Sequence, residues 1–140
     1  MNVILRNIAA VILGWLLGSV VNMGLITVGP MLIPPPEGVD PADMESLKAN
    51  IHLFQPKHFV FPFLAHALGT LVGALVAFKV AGSRKAVFAW VIAIFFFAGG
   101  IAVNMMIPGP VWFSVLDIVG AYIPMGWLAV RIGSKKSAPA

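Results

Sequence analysis

A chain of 140 residues has room for one domain and little more. Hydrophobic residues make up 60% of it and charged residues 10%, against about 25% charged in soluble domains, so the polar surface of a water-soluble fold is missing. Nine Lys and Arg against five Asp and Glu give a net charge of +4, too few cations for a phosphate-tracking stripe, and nucleic acid is not an expected partner. The sequence has no cysteine, which removes disulfides, thiolate metal sites and cysteine nucleophiles together.

A helix needs roughly 20 apolar residues to cross about 30 Å of hydrocarbon. Windows of that kind, bounded by charge, Pro or Gly, run over about 7–33, 58–80, 86–107 and 111–130. They predict an all-α integral membrane protein, a four-helix up-down-up-down bundle forming a single transmembrane domain over 1–140, with a short helix in the 34–57 loop. The first window exceeds what a bilayer requires, so tilting, or unwinding near Gly29-Pro30, is expected. Arg6 ahead of an apolar stretch also fits a signal peptide, but the run is longer than the roughly 7–15 residues of such a region and no A-x-A site follows, so it is expected to stay as a helix.

Arg6, Lys79, Arg84, Lys85, Arg131, Lys135 and Lys136 fall at one set of span ends, while only Lys48 and Lys57 fall at the other. The positive-inside rule then places both termini in the cytoplasm and the 34–57 loop outside. Glu37, Asp40, Asp43 and Glu45 all lie in that loop. It opens on Pro34-Pro35-Pro36, a stiff polyproline stretch. Asp40-Pro41-Ala42-Asp43 reads as a helix start, with Asp40 as N-cap and Pro41 first in the helix, continuing to about Leu53. Met44, Leu47, Ile51 and Phe54 form an apolar stripe that would cap the bundle or rest on the bilayer surface.

Helices associate in lipid through close approach at small residues and a few polar contacts. Ala65, Gly69, Gly73 and Ala77 form a ridge on the second span, and Gly14 and Gly18 a shorter one on the first, which predicts that these spans are neighbours; the same ridges could serve a dimer. Gly99-Gly100 and Gly120 offer approach points on the third and fourth. Val21-Asn22-Met23 recurs as Val103-Asn104-Met105, a hint of two parallel hairpins.

An ionisable group inside a span is costly and is a functional-site candidate by default. Asp117 is that group, about six residues or ~9 Å into the fourth span at 1.5 Å per residue. His66 lies at comparable depth and could share a hydrogen bond or proton with it. Asn22, His66, Asn104 and Asp117 come one from each span, and with Tyr122, Thr70, Ser114 and Trp112 they could line a central ligand- or proton-binding cavity facing outward. The alternative is that they are interhelical hydrogen-bond glue, each bond contributing on the order of 1 kcal/mol. No cofactor or metal is expected: His52, His58 and His66 are the only histidines, and no H-E-x-x-H, G-x-S-x-G or Gly-rich phosphate loop occurs. Catalysis would have to be an intramembrane acid/base pair of His66 and Asp117, and no catalytic residue is assigned. Pro108-Gly109-Pro110 forces a tight reversal, with Trp112 placed as an interfacial anchor.

The PPPxGxD element at 34–40, His66-Ala67-Leu68-Gly69, and the IPxPxWF element at 107–113 with Asp117 and Tyr122-Ile123-Pro124 occur in an order that resembles a family of small, uncharacterised bacterial four-span membrane proteins. The resemblance covers roughly 34–126 and implies a multi-pass protein of the bacterial inner membrane. It brings no activity with it, and it groups the loop, His66 and Asp117 as parts that act together. Two functions follow as expectations: a small binding or transport protein with an outward-facing polar cavity, or an accessory or scaffold subunit of a larger membrane complex. Membrane lipid is the expected partner, alongside a homo-oligomer or that larger complex.

Overall fold

The computed structural model describes residues 2–135; Lys136, counted above among the basic residues, lies outside them. The described residues are helical with no strand: α1 (Val3–Leu32), α2 (Met44–Asn50), α3 (Val60–Val80), α4 (Lys85–Met106), α5 (Val111–Gly120) and α6 (Ile123–Lys135). Four stretches are long and apolar enough to cross a membrane, namely Val3–Leu32, Pro56–Val80, Lys85–Met106 and Val111–Lys135, which fits a multi-pass membrane protein.

α1 starts earlier than the sequence suggests because the side chain of Asn2 accepts a hydrogen bond from the Ile4 amide, a cap that lets Val3 begin the helix. It does not unwind at Gly29-Pro30. The helix runs to Leu32, and the Ile33 amide donates to the Gly29 carbonyl at 2.8 Å. Pro30 is tolerated close to the helix end, where it deprives only the Ile26 carbonyl of its partner.

Asp40 does not cap the loop helix. Its carboxylate accepts from the Ala42 amide at 2.9 Å to close a turn around Pro41, and Asp43 is the N-cap, accepting from the amides of Glu45 and Ser46. α2 follows, then a 3-10 turn over Ile51–Leu53. Leu47 and Phe54 of the apolar stripe line a pocket together with Ile26, Gly29 and Pro30 of α1 and Phe61 of α3, so this half of the stripe lies over the bundle, while Met44 is exposed. A second 3-10 turn, Pro56–Phe59, leads into α3, so His58 stands just before that helix, its Nδ1 accepting from the Gln55 amide at 2.8 Å.

The fourth span is two helices, not one. Ala121 and Tyr122 are non-helical between α5 and α6, and the cause sits at Pro124. Proline there has no amide for the Gly120 carbonyl, and its ring crowds that carbonyl in a continuous helix. The second hairpin therefore differs from the first, whose returning helix α3 is unbroken.

α3 is the centre of the bundle and touches α1, α4, α5 and α6. The small-residue ridges meet each other: a Cβ on Gly14 would lie 2.7 Å from the Gly73 carbonyl, and one on Gly18 would lie 2.7 Å from the Gly69 carbonyl. An adjoining face of α3 joins α4 and α6 through Ala74, Phe78, Ala89, Ile92 and Ala129, with Ala77 shared between this face and the ridge. Gly126 rests on Ala93 and Trp90, and Gly133 on Phe78. Gly120 faces Phe63 and Gly100 faces Tyr122, whereas Gly99 meets nothing within 4 Å and is no approach point. At the end remote from the loop, Asn7 fastens the α3–α4 turn by accepting from the amides of Gly82 and Ser83 and donating to Ser83 Oγ. Arg6 Nε donates to the Val80 carbonyl beside it.

Candidate functional site

His66 lies two turns into α3, and Asp117 lies on the inner face of α5. Their side chains meet: His66 Nδ1 is 2.8 Å from Asp117 Oδ1 and 3.0 Å from Oδ2. Asp117 is completely buried, whereas the His66 side chain is 14% exposed. Tyr122 Oη donates to Oδ2 at 3.2 Å, and Asn104 Nδ2 donates to the same oxygen at 3.4 Å while also bonding the Gly100 carbonyl at 3.1 Å. Every side chain that reaches the carboxyl in this way can donate, and an ionised carboxylate, which only accepts, satisfies them all. The contact with His66 is then a hydrogen bond to the neutral ring or an ion pair with the protonated one.

The broken fourth span makes the Tyr122 contact. In a continuous α-helix, residues five apart are rotated by about 140° around the axis and face different ways. The interruption at Ala121–Tyr122 turns the phenol back to Asp117, where it lies 28° from the His66 ring plane with centroids 5.7 Å apart. Tyr122 is 1% exposed and fits against Gly100, where a Cβ would fall inside the phenol. Only glycine at that position of α4 admits the ring.

With Nδ1 held by the carboxylate, Nε2 is the nitrogen left for the cavity that His66 lines. This cavity has a volume of about 240 Å³ and lies between α1, α3 and α4. Its remaining walls are Ser19, Asn22 and Met23 of α1, Phe96, Gly99, Gly100 and Val103 of α4, and Tyr122. Three of the four residues expected to converge do so, namely His66, Asn104 and Asp117, with Tyr122 beside them. Asn22 is not at the carboxylate; it stands across the cavity, its Cβ against Gly69.

The other polar candidates are placed elsewhere. The Thr70 hydroxyl donates to the His66 carbonyl at 2.7 Å and so anchors the backbone beneath the imidazole. Trp112 packs edge-on against Phe59, and Ser114 does not line the cavity. Ser19 and Phe96 carry no signal of their own in the sequence, and Gly99, expected there as a packing point, lines the cavity instead. Among the described residues no three His, Asp or Glu side chains are grouped as a metal site would need.

Compared with family models, with curated proteins and with solved structures, the chain matches none.

Proposed function

We propose that the protein is a small binding or transport protein of a bacterial inner membrane, holding a small or lipid-like ligand, or passing a proton, at the His66 imidazole. The observation that carries this reading is the buried Asp117 gripping Nδ1 at 2.8 Å while His66 borders a cavity of about 240 Å³. Glue between helices needs no adjoining space; a carboxylate that fixes an imidazole tautomer and aims its other nitrogen at a cavity is the arrangement of a proton acceptor or ligand anchor. The resemblance of its PPPxGxD, HALG and IPxPxWF elements to a bacterial four-span family supports the inner-membrane placement. The surplus of Arg and Lys at the end remote from the loop supports cytoplasmic termini and a cavity on the outer half.

The alternative, an accessory or scaffold subunit, loses its main support, because the Gly14–Gly18 and Gly69–Gly73 ridges are spent on each other. Such a partner would have to use the outward face of α1 instead. The deciding experiment is native mass spectrometry of the protein in mild detergent, wild type against His66→Ala and Asp117→Asn. A stoichiometric non-protein mass that both variants lose is the expected result. Only exchangeable lipid, with equal destabilisation in both variants, would overturn the binding reading in favour of glue.

A further inference from the structure

Resting on that reading of the site, we infer that its ligand is a neutral amphiphile that enters sideways from the lipid between α1 and α4 and offers a hydroxyl to His66 Nε2. The route follows from how the two helices diverge. They are close near Gly14 and Gly18, where added Cβ atoms would lie 3.1 Å from Ile92 and 2.8 Å from the Phe96 ring. Closer to the loop end they part around the cavity, where Met23 is 59% exposed, Val103 is 43% exposed, and Gly99 has nothing within 4 Å. These flanks are deep in the spans: Asn22 is about 15 Å from the end of α1 and Gly99 about 10 Å from the end of α4, at 1.5 Å per residue. A helix surface exposed at that depth meets acyl chains, not water.

The walls define the headgroup. No Lys or Arg lines the cavity, so a phosphate or carboxylate there would be uncompensated, and the one carboxylate nearby, Asp117, is completely buried and cannot pair with a cationic head. A neutral head is what remains. Because Nδ1–H is given to Asp117, the neutral ring presents Nε2 as an acceptor, which selects a hydroxyl donor, while Asn22 and Ser19 can bond a second polar atom. Met23 and Val103 at the mouth suit the start of an apolar tail. Acylglycerols and long-chain phenols both carry this chemistry.

The test uses the full chain in phosphatidylcholine nanodiscs with two photoreactive probes, a diazirine-bearing monooleoylglycerol and a diazirine-bearing alkylphenol, each beside its methyl-ether form. Crosslinks from at least one hydroxyl probe are expected on the α1 and α4 peptides bordering the cavity, and the probe that labels names the source. The methyl ethers should label at least about tenfold less, since a site built to bond a hydroxyl rejects the capped analogue. Gly99→Leu fills open space at the mouth and should cut labelling by a similar factor at unchanged melting temperature, while Gly24→Leu, also without a neighbour within 4 Å and outside the cavity, should not. Labelling by neither probe, equal labelling by the methyl ethers, or no effect of Gly99→Leu overturns the inference. Native mass spectra of the same variants separate the two claims. A bound mass lost in His66→Ala and Asp117→Asn but kept in Gly99→Leu preserves the site and rejects lipid entry, whereas a mass lost in none rejects both.

Discussion

Asp117→Asn should leave the fold standing and reverse the polarity of His66 toward the cavity. An asparagine here can be placed in two ways. With its carbonyl at the Oδ2 position it still accepts from Tyr122 and Asn104, and its NH2 then faces His66 Nδ1 at about the native 2.8 Å. Two donors cannot share that distance, so the imidazole must move its proton to Nε2 and accept at Nδ1. With the amide turned over, the His66 bond survives, but the NH2 confronts the Tyr122 hydroxyl and Asn104. Asn104 keeps its bond to Gly100, whereas the Tyr122 hydroxyl proton, 1% exposed, has no acceptor left and costs about 1–3 kcal/mol. The first placement wins. Charge-assisted bonds become neutral ones while the burial of a charge is relieved, so overall stability should stay within about 2 kcal/mol of wild type. Asp117→Leu, which leaves the Tyr122 hydroxyl and His66 Nδ1 without their acceptor at once, should cost about 3–5 kcal/mol. The assay is nitrogen-15 spectroscopy of histidine-labelled protein at alkaline pH, with the His66 signals assigned by their loss in His66→Gln. Wild type should carry its proton on Nδ1 and the Asn variant on Nε2; a wild-type proton on Nε2, or the same tautomer in both proteins, would refute the reasoning and with it the acceptor role of Nε2.

Gly14→Ala and Gly18→Ala each press a methyl onto a backbone carbonyl 2.7 Å away that no rotamer can move, and should lower stability by about 1–3 kcal/mol in detergent unfolding, whereas Gly24→Ala, with open space around it, should be near neutral. Tyr122→Phe removes one donor from the carboxylate and should cost about 1–2 kcal/mol in the same assay while retaining the His66 tautomer; a shift of that tautomer would show that the phenol, not the carboxylate, sets it. Asn7→Ala strips the α3–α4 turn of its side-chain bonds, and limited proteolysis should then cut faster within 81–85 and nowhere else. Introduced at Glu45 and Ser134 in a chain without native cysteine, single cysteines should react with an impermeant maleimide in intact cells at Glu45→Cys only; labelling at Ser134→Cys would reverse the topology.

The parts of this molecule legible in its sequence are those where one residue type has few acceptable surroundings. Four apolar runs have to be helices, because hydrocarbon leaves their backbone no other partner. A ridge of Ala65, Gly69, Gly73 and Ala77 is of use only against another close-packed backbone, and Gly14 and Gly18 supply it. Asp117 in an apolar run demands donors, and His66 at similar depth is an available one. What escaped the sequence depends on rotation about a helix axis or on a contest between near-equal caps. Asp40 and Asp43 are both good N-caps, and Pro41 favours the first, but the Asx turn it makes with Ala42 is satisfied without a helix and passes the cap to Asp43. Asn22 has the right depth and the right chemistry, yet its place across the cavity follows from how α1 is rotated once Gly18 and Gly69 touch.

The fourth span shows why hydropathy alone could not describe the site. An average over a window sees Gly120-Ala121-Tyr122-Ile123-Pro124 as apolar enough to continue a span and does not register that Pro124 withholds an amide from the Gly120 carbonyl. That withheld bond is the one that matters for chemistry. Without the break, Tyr122 would point away from Asp117, Gly100 would face empty space, and the carboxylate would keep only His66 and a long bond from Asn104. The break adds a buried phenol as a donor to Oδ2, while His66, at 2.8 Å from Oδ1, stays the shortest contact on the carboxylate. Discontinuous spans in transporters place backbone and polar groups at a midplane site in the same way. In this chain a single proline sets the geometry of a site in which it takes no part.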